Sequence, residues 1–206
     1  MEPGERRLPD VRDAAAARAR GGWTAIRSRL LAGGRGRPWE APLASMLASL
    51  WCGRGVMPSG LSLAPREFRA LLRDAFPRLP GRFVPPLSGR RRGGLCEAPG
   101  DLRDVAALVC AHRAARAPAT RRLARVLAAG CLGFAHMWRD MGLGSRGELR
   151  TLVAAVAPAL ARRNDHDMKW KKFLYLELSR NRAGTPRRPP GCEACPSHDA
   201  CFGTAT

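Results

Sequence analysis

The residues best able to do chemistry stand close to the end of this chain, in the run CEACPSHDACFG. It holds Cys192, Cys195 and Cys201, with His198 between the last two. Thiolates are soft ligands that suit zinc and iron–sulfur clusters. The Cys192-x2-Cys195 spacing lets two thiolates turn toward one centre, and the HDA turn brings Cys201 back toward them. Zinc would complete a Cys3His set by taking His198. An iron–sulfur cluster would use the three thiolates and look elsewhere for a fourth ligand. On spacing alone the two readings are even.

Other residues could add to such a centre. Seven cysteines, an odd number, argue against a disulfide framework and for reduced thiols or ligation. Cys131 falls on an apolar helix face, where a thiol is either a small hydrophobe or a further ligand. Cys96 lies in an Arg-rich connecting segment from which it could swing to a cluster, while Cys52 and Cys110 read as packing residues. His136 follows Cys131 and precedes Asp140, so by spacing it reads as a structural histidine bonded to Asp140. His166 caps the last helix or faces solvent.

Lysine occurs only at Lys169, Lys171 and Lys172, every other basic residue being arginine. A flexible ammonium is not equivalent to a planar guanidinium. The three lysines are therefore candidates for contact with an oxyanion or with an acidic partner, against the simpler reading of a solvated helix face. No nucleophile elbow, phosphate loop or HExxH stands anywhere in the chain, so an enzyme is not expected.

The bulk properties suit a helical protein. The 206 residues allow one domain with a real core, and a 45% hydrophobic content with only 6% aromatics, mostly Ala and Leu, favours helices over sheets. The formal charge of +19 attracts anions or acidic surfaces. Its arginines are scattered, with no basic stripe interleaved with aromatics, so nucleic acid is not the indicated partner. MEPGERRLPD lacks the form of a secretory signal, and TLVAAVAPALA is too short to span a bilayer. A cytoplasmic protein without a membrane partner is expected.

Three regions follow. Residues 1–40, rich in Arg, Gly and Ala, read as a poorly ordered segment with a short helix and with Trp23 and Trp39 as anchors. Residues 41–181 read as the helical domain. LASMLASLW forms an apolar helix ending at Cys52-Gly53. In PREFRALLRDAFP, Phe68, Leu71, Leu72, Ala75 and Phe76 share one face between Pro65 and Pro77. Residues 77–100 form a long Pro/Gly/Arg-rich connection. A helix then starts at Asp101, with Asp104 at capping-box spacing. RRLARVLAAGCLGF is another, with Leu123, Val126, Leu127 and Cys131 on one side. HMWRDMGLG reads as a turn. Ser145 and Glu148 form a capping box before Leu149, Leu152, Val153 and Val156. The last helix covers roughly 166–180. Residues 182–206 read as a metal-cluster-binding tail. Nothing alternates with period two, so the fold class is all-α, an irregular bundle of six or seven helices with a helix-free cysteine-containing tail.

Four stretches carry a resemblance: LASMLASLWCGRGVMPSGLSLAPREFRALLRDAFP, AAGCLGFAHMWRDMGLGSRGELRTLV, RRNDHDMKWKKFLYLEL and CEACPSHDACFG. Through them the chain, from about residue 43 to 203, resembles the NifQ family of bacterial molybdenum-handling proteins. The resemblance implies an iron–sulfur cluster (4Fe–4S or 3Fe–4S) on Cys192, Cys195 and Cys201 that also carries molybdenum. The place of His136 in AHMWRD, within the second stretch, is what raises a metal contact for it instead. It implies delivery of that molybdenum, or a molybdenum–sulfur species, to the nitrogenase cofactor-assembly scaffold with the help of the nitrogenase iron protein. The family pattern C-x4-C-x2-C-x5-C puts its first cysteine at Arg187, and another position where relatives often have cysteine is Ser179 here. A tail with three thiolates would leave one iron open to an outside ligand. Zinc on a Cys3His tail, in a helical interaction module, is the alternative.

Overall fold

A computed structural model of the chain describes residues 22–80, 95–180, 187–195 and 198–203. Ten helices run through them: α1 (Gly22–Ala32), α2 (Glu40–Trp51), α3 (Pro65–Ala75), α4 (Pro99–Ala111), α5 (Pro118–Gly130), α6 (Met137–Asp140), α7 (Arg146–Val156), α8 (Pro158–Arg163), α9 (Trp170–Arg180) and α10 (His198–Phe202). Among the described residues there is no strand, only an isolated antiparallel bridge between Leu95 and Gly133. The fold is all-α.

Proline opens four of these helices, at 65, 99, 118 and 158, where its missing N–H costs nothing. α3 buries the face read from its periodicity, Phe68, Leu71, Leu72 and Ala75, and is tied to α5 by an Arg125–Glu67 ion pair of 2.7 Å. α5 is the hub. Its Leu123, Ala124, Val126, Leu127, Ala128 and Ala129 are wholly buried, and it packs against α3, α4, α6 and α7. At the Ser145 cap of α7, Ser145 Oγ accepts the Glu148 N–H at 3.2 Å, while the Glu148 carboxylate takes Gly144 N–H, Ser45 and Arg27.

Several expectations change. Residues 22–40 carry α1 and the turn before α2; residues 1–21 and most of the long connection (81–94) lie outside the described residues. α1 buries Ile26 and Leu30 against α2, and the Trp23 indole donates to Ser49 Oγ at 2.8 Å. Glu40 is buried because its carboxylate caps the turn before α2, accepting the N–H groups of Arg35 and Gly36 at 2.8 Å each. α4 starts at Pro99, ahead of the expected Asp101. The count exceeds seven because α6, α8 and α10 are single turns or little more. The last of them lies in the tail, which is therefore not helix-free.

Candidate metal centre

The turn between α5 and α6 is built by a buried lysine. Lys171, on the first turn of α9, sends its ammonium to Gly133 O at 2.7 Å, Ala135 O at 2.6 Å and Asp140 Oδ2 at 2.6 Å. These take all three of its hydrogens. Asp140 also accepts the Ala135 N–H. Gly133 has to be glycine here, since a Cβ would lie 2.3 Å from Asp140 Cγ. The expectation that Lys171 meets an external anion is thus corrected: its charge is spent inside the protein, shaping the 133–140 turn.

That turn forms one wall of a pocket of about 240 Å³. Ala135, His136, Met137 and Trp138 line it from the turn and α6, Lys169 to Lys172 from the start of α9, and Arg146 and Leu149 from α7. The tail closes it with Cys192, Cys195, Cys201 and Phe202. The three cysteines singled out by spacing therefore share one cavity. Among the described residues, no three Cys, His, Asp or Glu side chains converge on a point as ligands of a single ion would. The thiols stand around the space instead.

The described tail is held against the body. Pro189 is buried, and Gly191 takes φ +78°, a conformation glycine adopts without strain. A Cβ at Gly191 would lie 2.8 Å from the Phe134 ring and 3.0 Å from Gly133 O. Turn bonds run from Cys192 N–H to Pro189 O, Cys195 N–H to Cys192 O and His198 N–H to Cys195 O. Lys172 donates to the Cys201 carbonyl and lies 5.2 Å from the centre of the Phe202 ring. It thus seats α10 rather than facing an open surface.

Charge inside the pocket is mixed in a useful way. Burial raises the Cys192 thiol above its ordinary pKa; nearby Lys171 pulls it back, while Cys195 and Cys201 oppose its ionisation. His136 is held neutral, its pKa lowered by burial and then by Lys169, Arg139, Arg146 and Lys171. Lys169 lines the pocket, and among the described residues its ammonium makes no hydrogen bond.

The other candidates separate. Cys131 is fully buried at the end of α5, 3.9 Å from Met137 Sδ, with its thiol pushed up to about 12 by burial. Cys96 lies behind the tail, its Sγ 3.3 Å from the Cβ position of Gly191, and burial raises its pKa as well. His198 points its Nδ1 at Asp199 at 3.2 Å and stacks on Phe202. It is not among the residues lining the pocket, whereas His136 is. Cys52 is buried in the core, and Cys110 meets the Arg113 guanidinium at 3.4 Å. His166 is exposed and bonded to Asp165 at 2.6 Å.

Residues 42–203 match the NifQ family model. The chain belongs to the NifQ family. It is 37% identical to protein NifQ of Azotobacter vinelandii over 163 residues, 73% of this chain and 81% of that protein. It is 34% identical to protein NifQ of Klebsiella pneumoniae over 78% of this chain and 99% of that protein. The figures for protein NifQ of Rhodobacter capsulatus are 33%, 78% and 85%. No solved structure matches the chain. The part that matches the NifQ model includes both walls of the pocket.

Sequence reasoning missed the internal use of Lys171 and the wall made by Trp138 and Arg146. A signal for the first was present. Lys171, Leu174, Tyr175 and Leu178 recur at i, i+3, i+4 and i+7, and all four are buried.

Proposed function

We propose that this protein carries an iron–sulfur cluster on Cys192, Cys195 and Cys201, accepts molybdenum there, and donates it during synthesis of the nitrogenase iron–molybdenum cofactor. Membership of the NifQ family supports the role in cofactor synthesis. The observation that carries the carrier reading is the grouping of three cysteines from a short tail around one cavity that Lys169 also lines. Soft thiolates suit iron and molybdenum–sulfur species, and a cluster bearing thiolates is anionic. The nearby cations Lys169 and Arg146 offset that charge.

The chemistry is ligand exchange. Held by Cys192, Cys195 and Cys201 alone, a cluster would keep one metal without a protein sulfur, and an incoming molybdenum–sulfur unit would displace the outside ligand there. The receiving partner is the cofactor-assembly scaffold, with the nitrogenase iron protein assisting the transfer. Against zinc on a Cys3His set, His198 is not among the residues that line the pocket with Cys192, Cys195 and Cys201. The test is isolation without oxygen followed by iron, sulfide and zinc analysis. A brown protein with iron and sulfide is expected; a colourless one with one zinc per chain overturns the reading.

A further inference from the structure

Where the tail resumes after α9, Arg187 makes three attachments to the helical body. Its guanidinium donates to Asp104 Oδ2 at 2.8 Å and to Asp101 Oδ1, both on the first two turns of α4. Its backbone N–H donates to Ser179 Oγ at 2.9 Å, and the Ser179 hydroxyl donates in turn to the Tyr175 carbonyl at 2.9 Å. The Tyr175 hydroxyl closes the ring, donating to Asp101 Oδ2 at 2.8 Å. Both oxygens of Asp101 are thereby filled. Arg187, Asp101 and Asp104 are 30%, 19% and 17% exposed, so the pairs are shielded beyond the level of ordinary surface contacts.

Little slack separates this anchor from the thiols. Pro189 is buried, Gly191 is wedged against Phe134 and Gly133, and a turn bond from Cys192 N–H to Pro189 O leads directly into the pocket. At the far end Lys172 holds the Cys201 carbonyl. The described tail is thus fixed at both ends by cations, and neither anchor uses a thiol or a metal.

We propose that Arg187 is a positioning residue, whose fork onto Asp101 and Asp104 docks the tail before any cargo arrives and so presents Cys192 to the pocket. The consequence for cargo rests on the carrier reading; the docking does not. A latch made of charge weakens as salt rises, whereas one made by ligation would require metal.

The decisive experiment is amide hydrogen exchange on the metal-free full chain, at low and high salt, for the wild type and for R187Q, R187K, R187C and D104N. Loss of a charge-assisted bond of this kind opens the tail about tenfold or more. R187Q and R187C are expected to lose protection at Cys192, Cys195 and His198 to that degree with unchanged helical circular dichroism. R187K, a point charge without the fork, and D104N, which loses one arm, should lie between. Unchanged tail protection in R187Q overturns the proposal, and so does protection in R187C equal to that of the wild type. A second measurement follows loss of iron to a chelator after anaerobic loading with ferrous iron and sulfide. Faster loss from R187Q supports the positioning role, and equal loss overturns it. If no variant, nor the wild type, takes up iron and sulfide, the carrier reading falls while the exchange data still decide the latch.

Discussion

The Lys171 ammonium lies 2.6 Å from the Asp140 carboxylate, and both side chains are almost completely buried, 8% and 3% exposed. This pair ties α9 to the turn that walls the thiol pocket, across 31 residues of chain. A buried ion pair is costly to form, and removing one partner strands the other, at about 3–5 kcal/mol. Lys171 also satisfies two carbonyl groups, so its loss leaves those exposed to the same penalty.

The three lysines should therefore part company on mutation. Lys171→Gln is expected to lower the unfolding free energy by about 3–5 kcal/mol. Lys169→Gln should shift stability by no more than about 0.5 kcal/mol, while weakening retention of an anionic cargo. Chemical denaturation of the two variants side by side checks this. Equal stability loss at the two positions would contradict the assignment of Lys169 to the pocket and Lys171 to the frame.

Replacing Cys195 by Ser should abolish iron loading and leave the helices intact. The described tail buries only Pro189, so the core does not depend on it. Iron content and far-ultraviolet circular dichroism are the readouts. Full iron retention would remove Cys195 from the ligand set; loss of helical signal would make the tail part of the fold.

Alkaline pH should destabilise the metal-free protein, with Cys131 as a cause. An ordinary thiol ionises near 9.0, whereas the buried Cys131 keeps its proton up to about 12. Unfolding then releases a proton in this window, so stability falls as pH rises from 9.0 toward 12. Below 9.0 both states are protonated and Cys131 adds no pH dependence. Burial raises the Tyr175 phenol as well, which acts in the same direction. Cys131→Ala should reduce the alkaline slope of the unfolding midpoint. An undiminished slope would contradict the assignment.

Local signals were the legible part of this fold. Phe68, Leu71, Leu72 and Ala75 repeat at helical spacing, and Ser145 with Glu148 caps a helix within four residues, so both could be read from sequence. The short helices α6, α8 and α10 fall below the length at which periodicity can be recognised. That Cys192, Cys195 and Cys201 belong together was legible, because dense thiols on a short spacing have few bland uses, and they line one pocket. Their wall was not. One arginine among so many gives no sign that Arg187 would reach Asp101 and Asp104, more than 80 residues away, and Asp104 read more simply as a cap. Lys171 was hidden for a different reason. Charge at an apolar register position is normally taken as exposed, and only the distant Asp140 makes its burial tolerable.

X-ray absorption at the molybdenum edge tests the central claim most directly. The protein would be isolated without oxygen, loaded with iron, sulfide and molybdate under reducing conditions, and freed of unbound metal. The account predicts molybdenum bound in stoichiometric amount with sulfur and iron neighbours, and predicts that both sets of neighbours vanish in Cys195→Ser. Molybdenum surrounded by oxygen alone, or a chain that holds zinc and takes up no molybdenum, would contradict it.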